Sequence, residues 1–205
     1  TSNWVNKWVV LCEAKDIKVK GCINKIELVD EEALRPKQDL LENTGYELKL
    51  LNAKKGIGIN DLKKSLENNI TVVCGPSGVG KSTIMNYIAG SNIMKTGNIS
   101  DKLKRGKNTT RHCELVTTAE GFIVDTPGFS SLDLNFIEKN KLKDFFPEFL
   151  PYSGLCKYST CMHYKEPQCK IKEAVEKGEI SRERYDFYID TLNKLSVRRN
   201  YKWWN

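Results

Sequence analysis

Residues 75–82, Gly75-Pro76-Ser77-Gly78-Val79-Gly80-Lys81-Ser82, fit the spacing G-x-x-x-x-G-K-[ST], with Thr83 following. Glycines at such spacing let a backbone wrap closely round phosphate oxygens. The loop's N–H groups and the N-terminus of the following helix then face negative charge. A β-branched run (70–74) precedes the loop and an apolar-periodic run follows it, which is the strand–loop–helix setting this chemistry needs. Lys81 is expected to reach the β and γ phosphates, and Ser82 to bind Mg²⁺. The plain alternative is a Gly-rich turn that matches by chance, and the flanking strand and helix argue against it.

Three further stretches suit the same ligand. Asp125-Thr126-Pro127-Gly128 closes the apolar strand "GFIV". A carboxylate at that strand end suits a water-mediated Mg²⁺ contact, and Gly128 can offer its N–H to a γ-phosphate. Thr109 and Thr110 lie between cradle and carboxylate, where either can bind Mg²⁺ and the γ-phosphate. Asn24-Lys25-Ile26-Glu27 resembles N-K-x-D, whose acidic residue accepts bonds from guanine N1–H and N2–H₂ that adenine cannot supply; Glu27 adds one methylene. "LLNAKKGIGI" (50–59) resembles the companion S-A-K loop, with Asn52 for Ser. There the N–H of Ala53, next to Lys54, would meet guanine O6. In an ordinary nucleotide switch the base reader follows the phosphate cradle, whereas here it precedes it.

A different chemistry sits near the C-terminus. Cys156, Cys161, His163 and Cys169 form C-x4-C-x-H-x5-C within fourteen positions. Zinc takes three thiolates and an imidazole tetrahedrally, and four protein ligands leave no open position, so this would be a structural site. The alternative is buried cysteines beside a surface histidine. Cys12, Cys22, Cys74 and Cys113 fall in apolar periodic segments and are expected in the core.

The elements that must position these groups alternate. A helix is expected from Ser2 or Asn3 through Cys12, a strand at 18–24, and a helix at 31–43 that Pro36 can split and Gly45 ends. A strand "YELKLLN", an amphipathic helix "INDLKKSLEN", the strand 70–74 and a helix from Lys81 to Gly90 follow, then a hairpin of "CELVTT" and "GFIVD". This order predicts an α/β fold, a mostly parallel sheet with helices on both faces, over residues 1–146. From Pro147 the texture changes to Pro, Tyr, Cys and His, then two helical stretches from 170 to about 197, giving a metal-binding helical module over 147–205.

With 205 residues, 40% hydrophobic and 29% charged, the chain is globular and of ordinary domain size with a small appendage. No run approaches the roughly 18 apolar residues of a membrane span. Seven cysteines without a secretory leader point to a reducing compartment, so a cytoplasmic address and no membrane association are expected. The net charge is +7, and Lys95, Lys102, Lys104, Arg105, Lys107 and Arg111 stand against Asp101 alone in 95–111. Such a run is usually a solvated loop, but it can also dock on a phosphate backbone.

The order N-K-x-[DE], A-K, phosphate loop, T-T, D-T-P-G, then C-x4-C-x-H-x5-C resembles the circularly permuted GTPases of the RsgA (YjeQ) family. "RGKNTTRH", "DTPGFSSL" and "CMHYKEPQC" extend the likeness over nearly the whole chain. The resemblance implies GTP and GDP as ligands, Mg²⁺ with GTP, one structural Zn²⁺ and late maturation of the 30S ribosomal subunit with 16S rRNA as partner; a monomer is expected. It also implies a Ras-like sheet whose connectivity alone has moved. Many members have His where Asn108 stands, and His112, also usual in the family, is then the remaining imidazole near the chemistry. Phe129 occupies the place where Ras-type enzymes keep a water-positioning Gln, so unaided hydrolysis should be slow and a partner should stimulate it.

Two rival readings come with it: a nucleotide-gated rRNA-binding module with negligible hydrolysis, and an ATP-dependent enzyme with a chance N-K-I-E. Members of the family also carry an N-terminal OB-fold. The chain opens at Thr1 on a helix, so a strand and an OB-fold are expected upstream. Strand 70–74 should then pair with 121–125 on one side only, and not with 19–24.

Overall fold

The computed structural model describes residues 2–42, 44–90, 114–117, 121–125 and 133–199. Contacts gather the chain into two compact units. One comprises residues 1–21, 35–47 and 132–205, and the other residues 22–34 and 48–131. The first helix thus clusters with the C-terminal segment, although chain order sets it at the far end.

The second unit is built round a three-stranded sheet, β3 (Asn69–Val73), β5 (Gly121–Asp125) and β4 (Glu114–Thr117), in the order β3-β5-β4. β3 and β5 run parallel with Ile70 opposite Phe122 and Val73 opposite Asp125, while β4 and β5 are antiparallel with Glu114 opposite Asp125. The expected β4–β5 neighbourhood and the β3–β5 pairing are both present. Two strands before them, β1 (Lys20–Asn24) and β2 (Glu47–Leu51), form a sheet of their own. Among the described residues β1 does not pair with β3.

Two helices cover one face of the sheet. α3 (Ile59–Leu66) turns Ile59, Leu62 and Leu66 inward, and α4 (Lys81–Ala89) turns in Ile84, Met85 and Ile88. These six side chains enclose Ile123 together with Leu51 and Ala53. Burying each large aliphatic is worth about 1.5–3 kcal/mol, so this stripe contributes most of the unit's cohesion. α3 can begin where it does because Gly58 has φ +77°; a Cβ there would lie 2.4 Å from the Leu50 carbonyl oxygen. Strand alternation sends Ile70, Val72 and Phe122 to the opposite face, where they are 72%, 48% and 42% exposed. Cys74 continues that alternation and is exposed, as is Cys22 on β1, so the expectation that both lie in the core is corrected. Cys12 is half-buried, and Cys113 lies outside the described residues.

The first unit is helical. α1 (Ser2–Glu13) packs Val10 against two 3-10 segments, Lys139–Phe145 and Pro147–Tyr152, and two helices, α5 (Lys170–Glu176) and α6 (Arg182–Arg199). Phe146 stacks on Phe149 at 5.2 Å and meets Tyr188 edge-on at 5.1 Å. Inside this aromatic core lies an ion pair. The Arg184 guanidinium donates to Glu148 through Nε (2.6 Å) and Nη2 (3.2 Å), and to Asn6 Oδ1 through Nη1 (3.2 Å). Arg184 is 1% exposed. Its charge is matched in the forked geometry that makes burial tolerable, and it also lies over the Phe146 ring at 4.7 Å.

α2 (Glu31–Glu42) runs unbroken through Pro36, the residue that could have split it. Asp30 caps it, its Oδ1 accepting from Ala33 N at 2.8 Å. Pro36 removes one backbone bond on an exposed turn, and the flanking turns hold the helix. No helix among the described residues is long and apolar enough to cross a membrane.

Candidate functional site

The phosphate loop joins the end of β3 to the start of α4, as the motif requires. Gly78 and Gly80 take φ of +82° and +96°, conformations that L side chains rarely adopt. Lys81 folds back over its own loop, Nζ donating to the carbonyls of Gly75 (2.6 Å) and Pro76 (2.9 Å). The ammonium therefore sits at the mouth of the loop, where its charge faces any phosphate that the loop wraps. Ser82 and Thr83 occupy the first turn of α4 behind it.

The base-reading motif is tied to this loop by its own side chains. β1 delivers Asn24 at its end, and Lys25 then takes a left-handed conformation, φ +65° and ψ +39°, before a 3-10 turn over Ile26–Leu28. Asn24 Nδ2 donates to the Val79 carbonyl at 2.9 Å, and Lys25 Nζ donates to the Gly78 carbonyl at 2.7 Å. Asn24 Oδ1 accepts from the N–H of Ala53 at 3.0 Å. One amide side chain thus fastens three loops: its own, the phosphate loop and the A-K loop. A Cβ at position 80 would lie 2.4 Å from Asn24 Nδ2, which is why Gly80 is needed for approach as well as for its φ. Asn52 is 2% exposed and accepts from the Lys55 N–H at 3.1 Å, tightening the A-K turn from inside. Glu27 and Lys54 stay exposed beside it.

The structure brings residues 24–27, 52–54 and 75–83 together through these bonds. The register of β5 against β3 sets Asp125 level with Val73, at the strand end that opens the phosphate loop. The amide of Ala53, expected to meet a guanine carbonyl, donates to Asn24 Oδ1. Thr109, Thr110, His112, Gly128, Phe129 and the basic stretch 95–111 lie outside the described residues. The bridging by Asn24 was not read from sequence. Its signal was the adjacency of Asn and Lys at a strand end, which reads equally as a direct base contact.

The second centre lies in the helical unit. One ligand atom from each of Cys156, Cys161, His163 and Cys169 lies within 4.8 Å of every other. His163 Nδ1 stands 3.6 Å from Cys156 Sγ and 3.4 Å from Cys169 Sγ, and the two sulfurs are 3.9 Å apart. Zinc bonds of about 2.3 Å to sulfur and about 2.0–2.1 Å to nitrogen, at tetrahedral angles, call for ligand separations of this size, so the residues fit the ion. Burial pushes the Cys161 thiol up to about 12, against the pull of the His163 amide, and nearby Cys169 adds to it. Burial, helped by the Lys143 ammonium, lowers His163 to about 4 and keeps its ring neutral, the form that ligates. Crowded thiols that resist ionisation and a neutral imidazole form a donor set that a divalent cation completes.

The loops occur in the order base reader, A-K loop, phosphate loop, then the strand of Asp125, set against a parallel β3–β5 pair. This defines a circularly permuted P-loop GTPase fold. The chain belongs to the RsgA GTPase family, whose pattern it matches over residues 1–135. It is 72% identical over 202 residues to the small ribosomal subunit biogenesis GTPase RsgA of Clostridium acetobutylicum, covering 98% of this chain and 70% of that protein. It is 50% identical to the protein of the same name from Clostridium kluyveri, covering 96% and 69%. Among solved structures, YloQ, a circularly permuted GTPase, superposes with a TM-score of 0.76 at 31% identity, covering 97% of this chain and 64% of YloQ. YjeQ from Thermotoga maritima superposes with a TM-score of 0.75 at 36% identity, covering 95% and 66%. The chain thus spans about two thirds of the solved relatives.

Proposed function

We propose that the protein binds GTP and GDP, hydrolyses GTP, and acts in late maturation of the small ribosomal subunit, which stimulates its turnover. The observation that carries this reading is the double anchorage of Asn24, to Val79 of the phosphate loop and to Ala53 of the A-K loop. A guanine-type reader fastened to a phosphate cradle has no use in a fold that binds neither. The relatives named as small ribosomal subunit biogenesis GTPases supply the process.

In this reading Glu27 accepts from the guanine ring, and Asn24, Lys25, Ile26, Ala53 and Lys54 frame the base. Residues 75–83 wrap the phosphates, with Lys81 on the β and γ groups. Ser82, Asp125 and one of Thr109 and Thr110 hold Mg²⁺, which would neutralise charge on the transferring group. Gly128 and His112 complete the γ-phosphate end. Phe129 cannot orient the attacking water, which is why a partner must assist.

Cys156, Cys161, His163 and Cys169 hold Zn²⁺ as a closed structural site; residues 147–205 are assigned to that metal-binding module and residues 1–146 to the nucleotide module. The basic stretch 95–111 meets 16S rRNA, and the protein works as a cytoplasmic monomer without membrane association. The test of the nucleotide assignment is competition. GDP should displace a bound fluorescent GDP analogue at low concentration while ATP does not, because a site built to pair guanine leaves its polar groups unpaired on adenine. Equal displacement by ATP would refute the guanine assignment.

A further inference from the structure

Residues 161–164 carry two of the four metal ligands yet belong to no helix or strand. Backbone polar groups buried there need partners from elsewhere. They find most of them in side chains. Cys161 N donates to the Tyr158 carbonyl at 3.1 Å, and the Cys161 carbonyl accepts from Lys143 Nζ at 3.1 Å. The carbonyls of Met162 and His163 accept from the phenols of Tyr188 (2.6 Å) and Tyr185 (2.8 Å), both on α6. The N–H groups on either side of the ligand histidine, those of Met162 and Tyr164, both go to one carboxylate, Glu166, at 2.9 and 2.8 Å through Oε1 and Oε2 respectively.

We propose that Glu166 is a positioning residue for the metal centre: by gripping the amides before and after His163 it holds that residue in the left-handed turn that aims Nδ1 at the sulfurs. His163 has φ +54°, a conformation that a residue with a β-carbon leaves readily. Two charge-assisted hydrogen bonds closing on a single carboxylate oppose that escape. The phenols and Lys143 fix the carbonyl side of the same segment, so the imidazole is placed by the protein before any ion arrives. Glu166 is not itself a ligand; it acts through the backbone, as outer partners of metal sites do. The inference rests on reading the four side chains as a metal site.

Co²⁺ serves as the spectroscopic probe on the full chain, in the parent, E166Q and E166A. The parent should take one equivalent and show the intense visible bands of a tetrahedral site with thiolate-to-cobalt charge transfer. E166A should keep the charge transfer, because the three cysteines remain, but lose or shift the ligand-field bands as the imidazole drifts. It should also hold Zn²⁺ about 10–100-fold more weakly in competition with a chromophoric chelator. E166Q keeps one acceptor oxygen and should fall between, and it decides the matter should E166A fail to fold. Parent-like spectra and Zn²⁺ affinities in E166Q and in folded E166A would overturn the proposal. A parent that binds no Co²⁺ would instead overturn the metal reading beneath it.

Discussion

Replacing Asn24 by Ala tests whether the base reader and the phosphate loop are one mechanical unit. The substitution deletes the bonds to Val79 O (2.9 Å) and from Ala53 N (3.0 Å). Each is worth roughly 0.5–1.5 kcal/mol net, so about 1–3 kcal/mol of loop registration is at stake. Bound nucleotide must hold the three loops in register, whereas the free protein can let them drift, so the loss appears mainly as affinity. About 1–3 kcal/mol corresponds to a roughly 5- to 150-fold rise in the dissociation constant for GDP. Gly80→Ala presses on the same joint without removing the amide, because its Cβ would lie 2.4 Å from Asn24 Nδ2 at a φ of +96°. It should weaken GDP in the same direction. Equilibrium displacement of a fluorescent GDP analogue, with thermal unfolding in parallel, reads both effects. GDP affinity within twofold of the parent in both variants would refute the reasoning.

Glu148→Ala strands the buried Arg184 guanidinium and should destabilise the helical unit by about 3–5 kcal/mol, read by denaturant unfolding. Replacing both Glu148 and Arg184 by apolar residues should cost less than that single change. Metal-stripped protein should lose stability as pH falls. His163 is held near 4 in the folded chain against an ordinary value of 6.5, so its neutral form favours folding fully above about 6.5, and the contribution drains away between there and about 4. Unfolding midpoints of metal-free protein that stay flat across that window would show that the imidazole is not buried as described.

Much of the site was legible because its motifs carry their own geometry. The phosphate loop, the strand before it and the helix after it are set by Gly78, Gly80, Lys81 and a β-branched run, all local features. The clustering of Cys156, Cys161, His163 and Cys169 was legible by type and spacing. What sequence could not show was long-range. Asn24 and Val79 are far apart in the chain, and nothing in either residue announces the bond between them. The Arg184–Glu148–Asn6 cluster was hidden for the same reason, since a charge in an amphipathic helix reads as solvated until its partner is placed. Pro36 left the continuity of α2 open, because the Asp30 cap bond and the flanking turns that outweigh its local penalty show only in the fold. Cys22 and Cys74 misled because they sit in apolar runs, yet β alternation turns them to an open face.

The protein we propose is a guanine-nucleotide switch whose hydrolysis depends on the small ribosomal subunit. GTP turnover with and without purified 30S subunits, in the protein and in its Lys81→Ala variant, tests this switch. Slow release of phosphate alone, a severalfold or greater rise on adding 30S subunits, and no turnover above background in Lys81→Ala is the predicted result. Turnover unchanged by 30S subunits, or stimulated turnover that survives the loss of the Lys81 ammonium, would contradict it.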